Sequence, residues 1–305
     1  MARWLEVAVD ADLESADAVA EIFAQYGYQQ GVAILQPVLQ DPAGEQVTID
    51  PNALVRVMTY LPLDEQVDAT VEALRIALWH LGQLGTVGAL RLRTLSEDDW
   101  AEAWKQHFPV TRIGQRIVIR PSWLPYTPHP DDVVIELDPG MAFGTGLHPT
   151  TQHCLRWIEQ LVRPGQSVLD AGAGSGILSI AALKLGATAV TALELDPVAS
   201  EVLHANLGRN GVLDRATVRV ADVTRDLAER ERYDLVLANI VARVLIEAAP
   251  RLVRAARSGA LIALSGIIAT AEADVRDRYR RLGVELVERQ QDGDWVSLLY
   301  RRTSA

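Results

Sequence analysis

Residues 168–187 read VLDAGAGSGILSIAALKLGA, and no other stretch limits the fold as tightly. An apolar run delivers the chain into Gly172-Ala173-Gly174-Ser175-Gly176, and a helix-forming segment follows at once. Glycines at such a corner let the backbone turn tightly and approach a ligand, and the helix start beyond it presents unpaired N–H groups. Nucleotide, dinucleotide and S-adenosylmethionine sites all use this corner. A dinucleotide fingerprint starting at Gly172 requires glycine at 177; Ile177 stands there, which disfavours a pyrophosphate site and with it a nicotinamide dehydrogenase. Asp170, just before the loop, suits a site facing a positively charged amino-acid moiety. The plainer alternative for it is a helix-capping or loop-ordering carboxylate.

Around this corner the chain alternates. Strand-like Arg116–Arg120 and Val133–Leu137 come first, then a helix from about Thr150 to Leu161. Strands at Ser167–Asp170, Ala189–Leu193, Thr217–Val220, Tyr233–Ala238 and Ala260–Ser265 alternate with helices, which predicts a doubly wound parallel α/β sheet. Gly283–Arg289 and Trp295–Tyr300 are separated by a QQDGD turn with no room for a helix, so they are expected to form an antiparallel hairpin at the sheet edge. That ending points away from a standard dinucleotide fold.

In open α/β sheets the ligand crevice lies beyond the carboxyl ends of the strands. Glu194 ends the second parallel strand in ALELDP, where an acid can accept both hydroxyls of a ribose; Asp196 is read as a cap for the next helix. Asp222 follows the third strand and could meet an adenine amino group, or serve as a surface-loop carboxylate. Asn239 ends the fourth strand in LANIVA, and a neutral amide there can orient an amine by accepting its hydrogen bond. The stretch LDPGMAFGTGLHPTTQHC, Leu137 to Cys154, combines Gly140, Gly144 and Gly146 with Pro149 at a helix start and with Thr150 and Thr151 in the first turn, and reads as a lid. His148, His153 and Cys154 lack zinc-ligand spacing, so no metal is expected.

Residues 1–95 follow a βαββαβ order, the split βαβ or ferredoxin-like arrangement, with Asp12 as a helix N-cap and Gly27 as a helix end. They hold no catalytic constellation and read as a docking domain. Their charge is lopsided, 13 acids against 5 bases, whereas the remainder carries 27 against 24. Such a surface repels phosphate backbones and would attract a basic partner, the plainer alternative being solubility alone; no direct nucleic acid partner is expected. Residues 96–115, with Trp100, Trp104 and Phe108 four apart, read as a helical linker. The domain plan is thus 1–95, 96–115 and 116–305. One cysteine fits a reducing, cytoplasmic compartment. No basic region leads into an apolar run at the N-terminus, and the most apolar stretch, Ala260–Ala269, is too short for a membrane span; no signal peptide and no membrane partner is expected.

The loop DPG-x-AFGTG-x-HPTT, the GAGSGIL corner, the ELDP acid and the NIVA tetrapeptide, in that order, resemble the ribosomal protein L11 methyltransferase (PrmA) family over nearly the whole chain. The resemblance implies a class I S-adenosylmethionine-dependent methyltransferase domain behind a ferredoxin-like substrate-recognition domain. It implies that Thr151, Gly172, Glu194 and Asn239 contact the cofactor or line its pocket; Asp170, Gly174 and Asp222 stand beside them as cofactor-binding candidates from their places in the sequence. Phe143, Gly144, Thr145 and Thr150 would close over its methionine end, near His148. Ala173, Leu147 and Glu194 depart from the family's usual cysteine, threonine and aspartate; Leu147 has no hydroxyl to offer the lid. The implied reaction is in-line methyl transfer to lysine ε-amino or N-terminal α-amino groups of ribosomal protein L11, docked by the first domain, with Asn239 orienting the amine and His148 as reserve base. A methyltransferase acting on another protein or a small molecule, and a non-enzymatic cofactor-binding assembly factor, remain compatible with the same residues.

Overall fold

The computed structural model describes residues 3–27, 32–35, 38–40, 47–49, 53–83, 85–96, 109–138, 146 and 148–303. Its contacts divide the chain into two compact units, Met1–Phe108 and Pro109–Ala305.

The first unit contains β1 (Arg3–Ala11), α1 (Leu13–Tyr26), β2 (Val32–Leu35), β3 (Val38–Gln40), β4 (Val47–Ile49), β5 (Val55–Pro62), α2 (Val67–Leu81) and β6 (Arg91–Ser96). Its four-stranded sheet has the order β2-β5-β1-β6 with every pairing antiparallel, the ferredoxin-like arrangement. Val7, Val9 and Ala11 alternate inward from β1, and Ala16, Val19 and Phe23 recur at helical spacing on α1; with Leu74 and Leu78 of α2 they make one core. Asp12 caps α1 by accepting the Ser15 N–H at 2.7 Å, and Gly27 ends the helix by donating to the Phe23 carbonyl. Beyond the expected βαββαβ order, β3 and β4 form a separate antiparallel pair. Most of the predicted linker, 97–108, lies outside the described residues. Its last part belongs to the second unit: β7 (Thr111–Ile113) turns at Gly114 and pairs with the next strand, burying Ile113.

The second unit begins with a small sheet of β7, β8 (Ile117–Arg120) and β9 (Val133–Glu136). Then come α3 (Pro149–Leu161), β10 (Ser167–Ala171), α4 (Ile177–Lys184), β11 (Ala189–Glu194), α5 (Pro197–Arg209), β12 (Ala216–Val220), β13 (Tyr233–Asn239), α6 (Ala242–Ala255), β14 (Ala256–Ile268), α7 (Glu272–Arg280), β15 (Val284–Asp292) and β16 (Trp295–Arg302). The sheet order is β12-β11-β10-β13-β14-β16-β15. The first five of these strands pair in parallel; β16 inserts antiparallel between β14 and β15. This is the class I methyltransferase plan, with the predicted hairpin at the edge. Successive residues of the central strands go to opposite faces. Val168, Leu235 and Leu237 join the core under α3, α4 and α5, and Leu169, Val236 and Ala238 join the core under α6 and α7. A sheet covered on both sides in this way needs strands that are apolar throughout, which is how these strands read.

Candidate functional site

The order reverses at β10 and β13, whose neighbours lie on opposite sides, and the ends of β10, β11 and β13 open at that point. Beyond β10 the chain takes a left-handed turn at Gly172, with φ of 76°. A Cβ there would lie 2.3 Å from Ile240 Cγ2, so only glycine fits between the loop and the segment after β13. The loop is tied across to β11: the Gly172 and Ala173 N–H groups donate to the Leu193 carbonyl at 2.8 and 3.0 Å, and the Gly174 N–H donates to Glu194 Oε2 at 2.8 Å. Glu194 Oε1 accepts from the Leu195 and Asp196 N–H groups. Backbone donors thus fix the Glu194 carboxylate against the glycine loop, half-buried, with lone pairs left over for a diol. Asp196 caps α5 through the Val198 N–H, as the sequence suggested.

Asp170 is fully buried at the base of the loop. Its Oδ2 accepts the Ser179 hydroxyl at 2.6 Å, and the carboxylate also takes the Ser179 backbone N–H, so it stitches β10 to α4. The loop-ordering role is therefore present. Its Oδ1, however, has no hydrogen-bond partner among the described residues. Burial pushes its pKa up to about 6, against the partial relief from Ser179. A buried acceptor without a donor is costly unless a cation or N–H group arrives.

Across the opening, α3 starts at His148. Its imidazole caps the helix: Nδ1 takes the Thr150 N–H at 3.4 Å and lies 2.7 Å from the Thr150 hydroxyl. The ring meets Trp295 edge-on at 4.8 Å. Burial is the main cause that pushes its pKa down to about 4, with His153 adding to the fall and Asp292 opposing it. In this arrangement the imidazole serves as the cap of α3. Thr151 is buried, and its Oγ1 accepts from Asn239 Nδ2 at 3.3 Å. That contact brings together two predicted site residues 88 positions apart and leaves the amide's carbonyl oxygen for another donor.

Asp222 stands apart from these contacts. Its Oδ1 accepts the Thr224 N–H and hydroxyl at 2.8 and 2.7 Å, and Oδ2 lies 3.6 Å from Arg225 Nε. These partners hold its pKa below the usual carboxylate range. It organises its own turn after β12. Phe143, Gly144 and Thr145 lie outside the described residues. Gly146 is described: a Cβ on it would strike Ile119 Cδ1 at 2.1 Å and Ile177 Cδ1 at 2.9 Å. The isoleucine that breaks the dinucleotide fingerprint thus packs under the end of the predicted lid. Among the described residues no group of His, Cys, Asp and Glu is placed to hold a metal ion, and no helix is long and apolar enough to cross a membrane. Sequence reasoning missed Ser179, Ser265 and Ser297; the signal was a hydroxyl inside an otherwise apolar run.

The family model described as "Ribosomal protein L11 methyltransferase (PrmA)" matches residues 3–303. A protein named ribosomal protein L11 methyltransferase from Chloroflexus aurantiacus is 47% identical over 98% of both chains. One of the same name from Herpetosiphon aurantiacus is 40% identical over 98% of this chain and 99% of its own. A crystal structure titled ribosomal protein L11 methylase from Lactobacillus delbrueckii subsp. bulgaricus matches with TM-score 0.59 and 30% identity, covering 64% of this chain and 99% of its own. With the strand order, the glycine corner and these relatives in agreement, the chain belongs to the PrmA family of methyltransferases, and its cofactor is S-adenosylmethionine.

Proposed function

We propose that this chain methylates ribosomal protein L11 at lysine ε-amino groups, the N-terminal α-amino group, or both. The observation that carries the reading is the convergence at the strand ends. A glycine loop with Glu194 fixed against it, a buried Asp170 oxygen without a partner, and an Asn239 amide held by Thr151 all sit where the sheet order reverses. The donor set fits S-adenosylmethionine: Glu194 for the ribose hydroxyls, the Asp170 oxygen for the α-ammonium, the Gly172 and Gly174 corner for close approach of the chain. Asp222 is assigned to the adenine side, and Thr150 and Thr151 to the methionine side with Phe143, Gly144 and Thr145. The bound cofactor supplies a methyl group on a sulfonium, already activated for displacement.

The chain's own work is then alignment. Asn239 Oδ1 accepts an N–H of the incoming amine and aims its lone pair, while Thr151 keeps the amide from turning. Alignment of this kind is worth about 7–11 kcal/mol when the near-attack geometry is good. The amine has to arrive neutral; desolvation in the closed site and the nearby positive charge lower a lysine's pKa from about 10.4. No side chain of this site is assigned as a base.

The first unit is proposed to dock the basic protein substrate. On α2, Asp68 and Glu72 are exposed on the same face as Ile76 and Trp79, which are 53% and 63% exposed. The test reverses the two acids, Asp68→Lys with Glu72→Lys. The KM for L11 is expected to rise roughly tenfold, with S-adenosylmethionine binding unchanged. Equal loss of both, or of neither, contradicts the docking assignment.

A further inference from the structure

Behind the Thr151–Asn239 pair runs a set of buried polar groups that methyl transfer does not use. His153 on α3, Ser265 on β14 and Ser297 on β16 are all buried, the two serines completely. His153 Nδ1 lies 2.9 Å from Ser297 Oγ, and Ser297 Oγ lies 2.6 Å from Ser265 Oγ. Ser265 Oγ in turn donates to the Thr150 carbonyl at 3.0 Å.

Proton counting gives this set a direction. A carbonyl only accepts, and a serine hydroxyl has one hydrogen, so Ser265 spends its hydrogen on Thr150. Ser297 must then donate to Ser265, and it has nothing left for the imidazole. His153 therefore carries its proton on Nδ1 and donates to Ser297. The donors run one way, from His153 through Ser297 and Ser265 to Thr150.

Ser265 holds both sides of the pair that faces the amine. Its side chain grips Thr150, next to Thr151, in the first turn of α3. Its backbone pairs with Asn239 across β13 and β14, and its carbonyl accepts from the Ile240 N–H at 3.2 Å. Three apolar side chains could fill the same space without needing a partner for each lone pair; a fully bonded polar chain instead fixes one arrangement.

We propose that His153, Ser297 and Ser265 are positioning residues for methyl transfer: a one-way hydrogen-bond chain that fixes the first turn of α3, so that Thr151 holds the Asn239 amide with its carbonyl oxygen toward the amine. This rests on the reading of Asn239 as the group that orients the amine.

The test uses the full chain with S-adenosylmethionine and L11. Ser297→Ala is expected to lower kcat roughly tenfold with the KM for S-adenosylmethionine little changed, because misalignment slows transfer without loosening the cofactor. Ser297→Cys keeps the shape with a weaker donor and is expected to fall between the alanine variant and the parent; should the alanine variant not fold, the cysteine variant carries the comparison. In nitrogen NMR at pH 8, His153 is expected to show a protonated Nδ1 and a bare Nε2. A dominant Nε2–H tautomer overturns the chain. So does an unchanged kcat in both serine variants alongside a lower Tm, which is the signature of a merely structural role. Asn239→Ala separates the two layers. If it cuts kcat while the serine variants do not, only the positioning chain falls; if it too leaves kcat unchanged, the reading of Asn239 fails and the chain's role falls with it.

Discussion

Two helices begin at the same end of the large sheet and are closed in opposite ways. The start of α3 is sealed by its own cap residue: His148 takes the Thr150 N–H on its ring and the Thr151 and Gln152 N–H groups on its carbonyl, and Pro149 has no N–H to satisfy. The start of α4 follows Gly176, a left-handed residue with φ of 84° and no side chain to offer. Among the described residues only Asp170, from the strand beneath, reaches in to Ser179. A helix start with its donors uncapped suits a ligand that brings its own acceptors, whereas a sealed one suits a surface that must not move. On this account α4 receives the cofactor and α3 holds the geometry in which the amine meets it.

Breaking the α4 side at Asp170 is expected to give the largest effect. Because burial raises its pKa to about 6, the folded chain binds that proton more tightly than the unfolded chain does. The ionised group therefore weakens folding increasingly as pH rises from the ordinary carboxylate range through 6, by up to about 3 kcal/mol at pH 8. Asp170→Asn is expected to raise the Tm of the cofactor-free protein at pH 8, with the gap closing toward pH 4, while binding of S-adenosylmethionine weakens. A lower Tm at pH 8 contradicts the burial argument; unchanged binding removes Asp170 from the ammonium site.

On the α3 side, Asn239→Ala is expected to lower kcat roughly a hundredfold, about 2.7 kcal/mol, as measured by single-turnover methyl transfer. Gly172→Ala returns to the α4 side. Its left-handed φ costs a Cβ-bearing residue about 1–2 kcal/mol, and Ile240 must shift as well, so calorimetry should show weaker cofactor binding and thermal melting a lower Tm. The smallest effect is expected at His148. Asn in its place still caps a helix, and a group with a pKa of about 4 is already neutral through the working range, so His148→Asn should change Tm by about 1 kcal/mol equivalent or less. It should also leave the pH profile of kcat unshifted between pH 6 and 9. A profile that moves with His148→Asn would restore the imidazole as a base.

The difference between the helix starts was partly legible in the sequence. Pro149 and the threonines marked the start of α3, and the glycine corner marked α4. The parallel strands of the large sheet were readable because each is apolar over most of its length and followed by a helix or a turn, and β15 and β16 were readable from the turn between them. The β3–β4 pair escaped because its strands are three residues long, too short for alternation to register. The strand β7 was absorbed into a helical arm by the aromatic spacing of Trp100, Trp104 and Phe108, which drew the boundary too far along the chain. At the site, residues adjacent to strand ends could be named, but their partners could not. Thr151 meets Asn239 only because β13 and α3 come together in space, and Ser265 and Ser297 are single hydroxyls in apolar strands with no period to mark them. His148 looked like a titrating group because nothing in its neighbours along the chain reports burial.

Intact-mass spectrometry of purified ribosomal protein L11, incubated with this chain and S-adenosylmethionine, tests the account most directly. The expected result is a ladder of about 14 Da per methyl group, abolished or greatly slowed by Asn239→Ala, with fragmentation locating the modified amines. An unmodified L11 in the presence of a chain that binds S-adenosylmethionine by calorimetry would contradict the account, leaving the pocket in place and the substrate wrong.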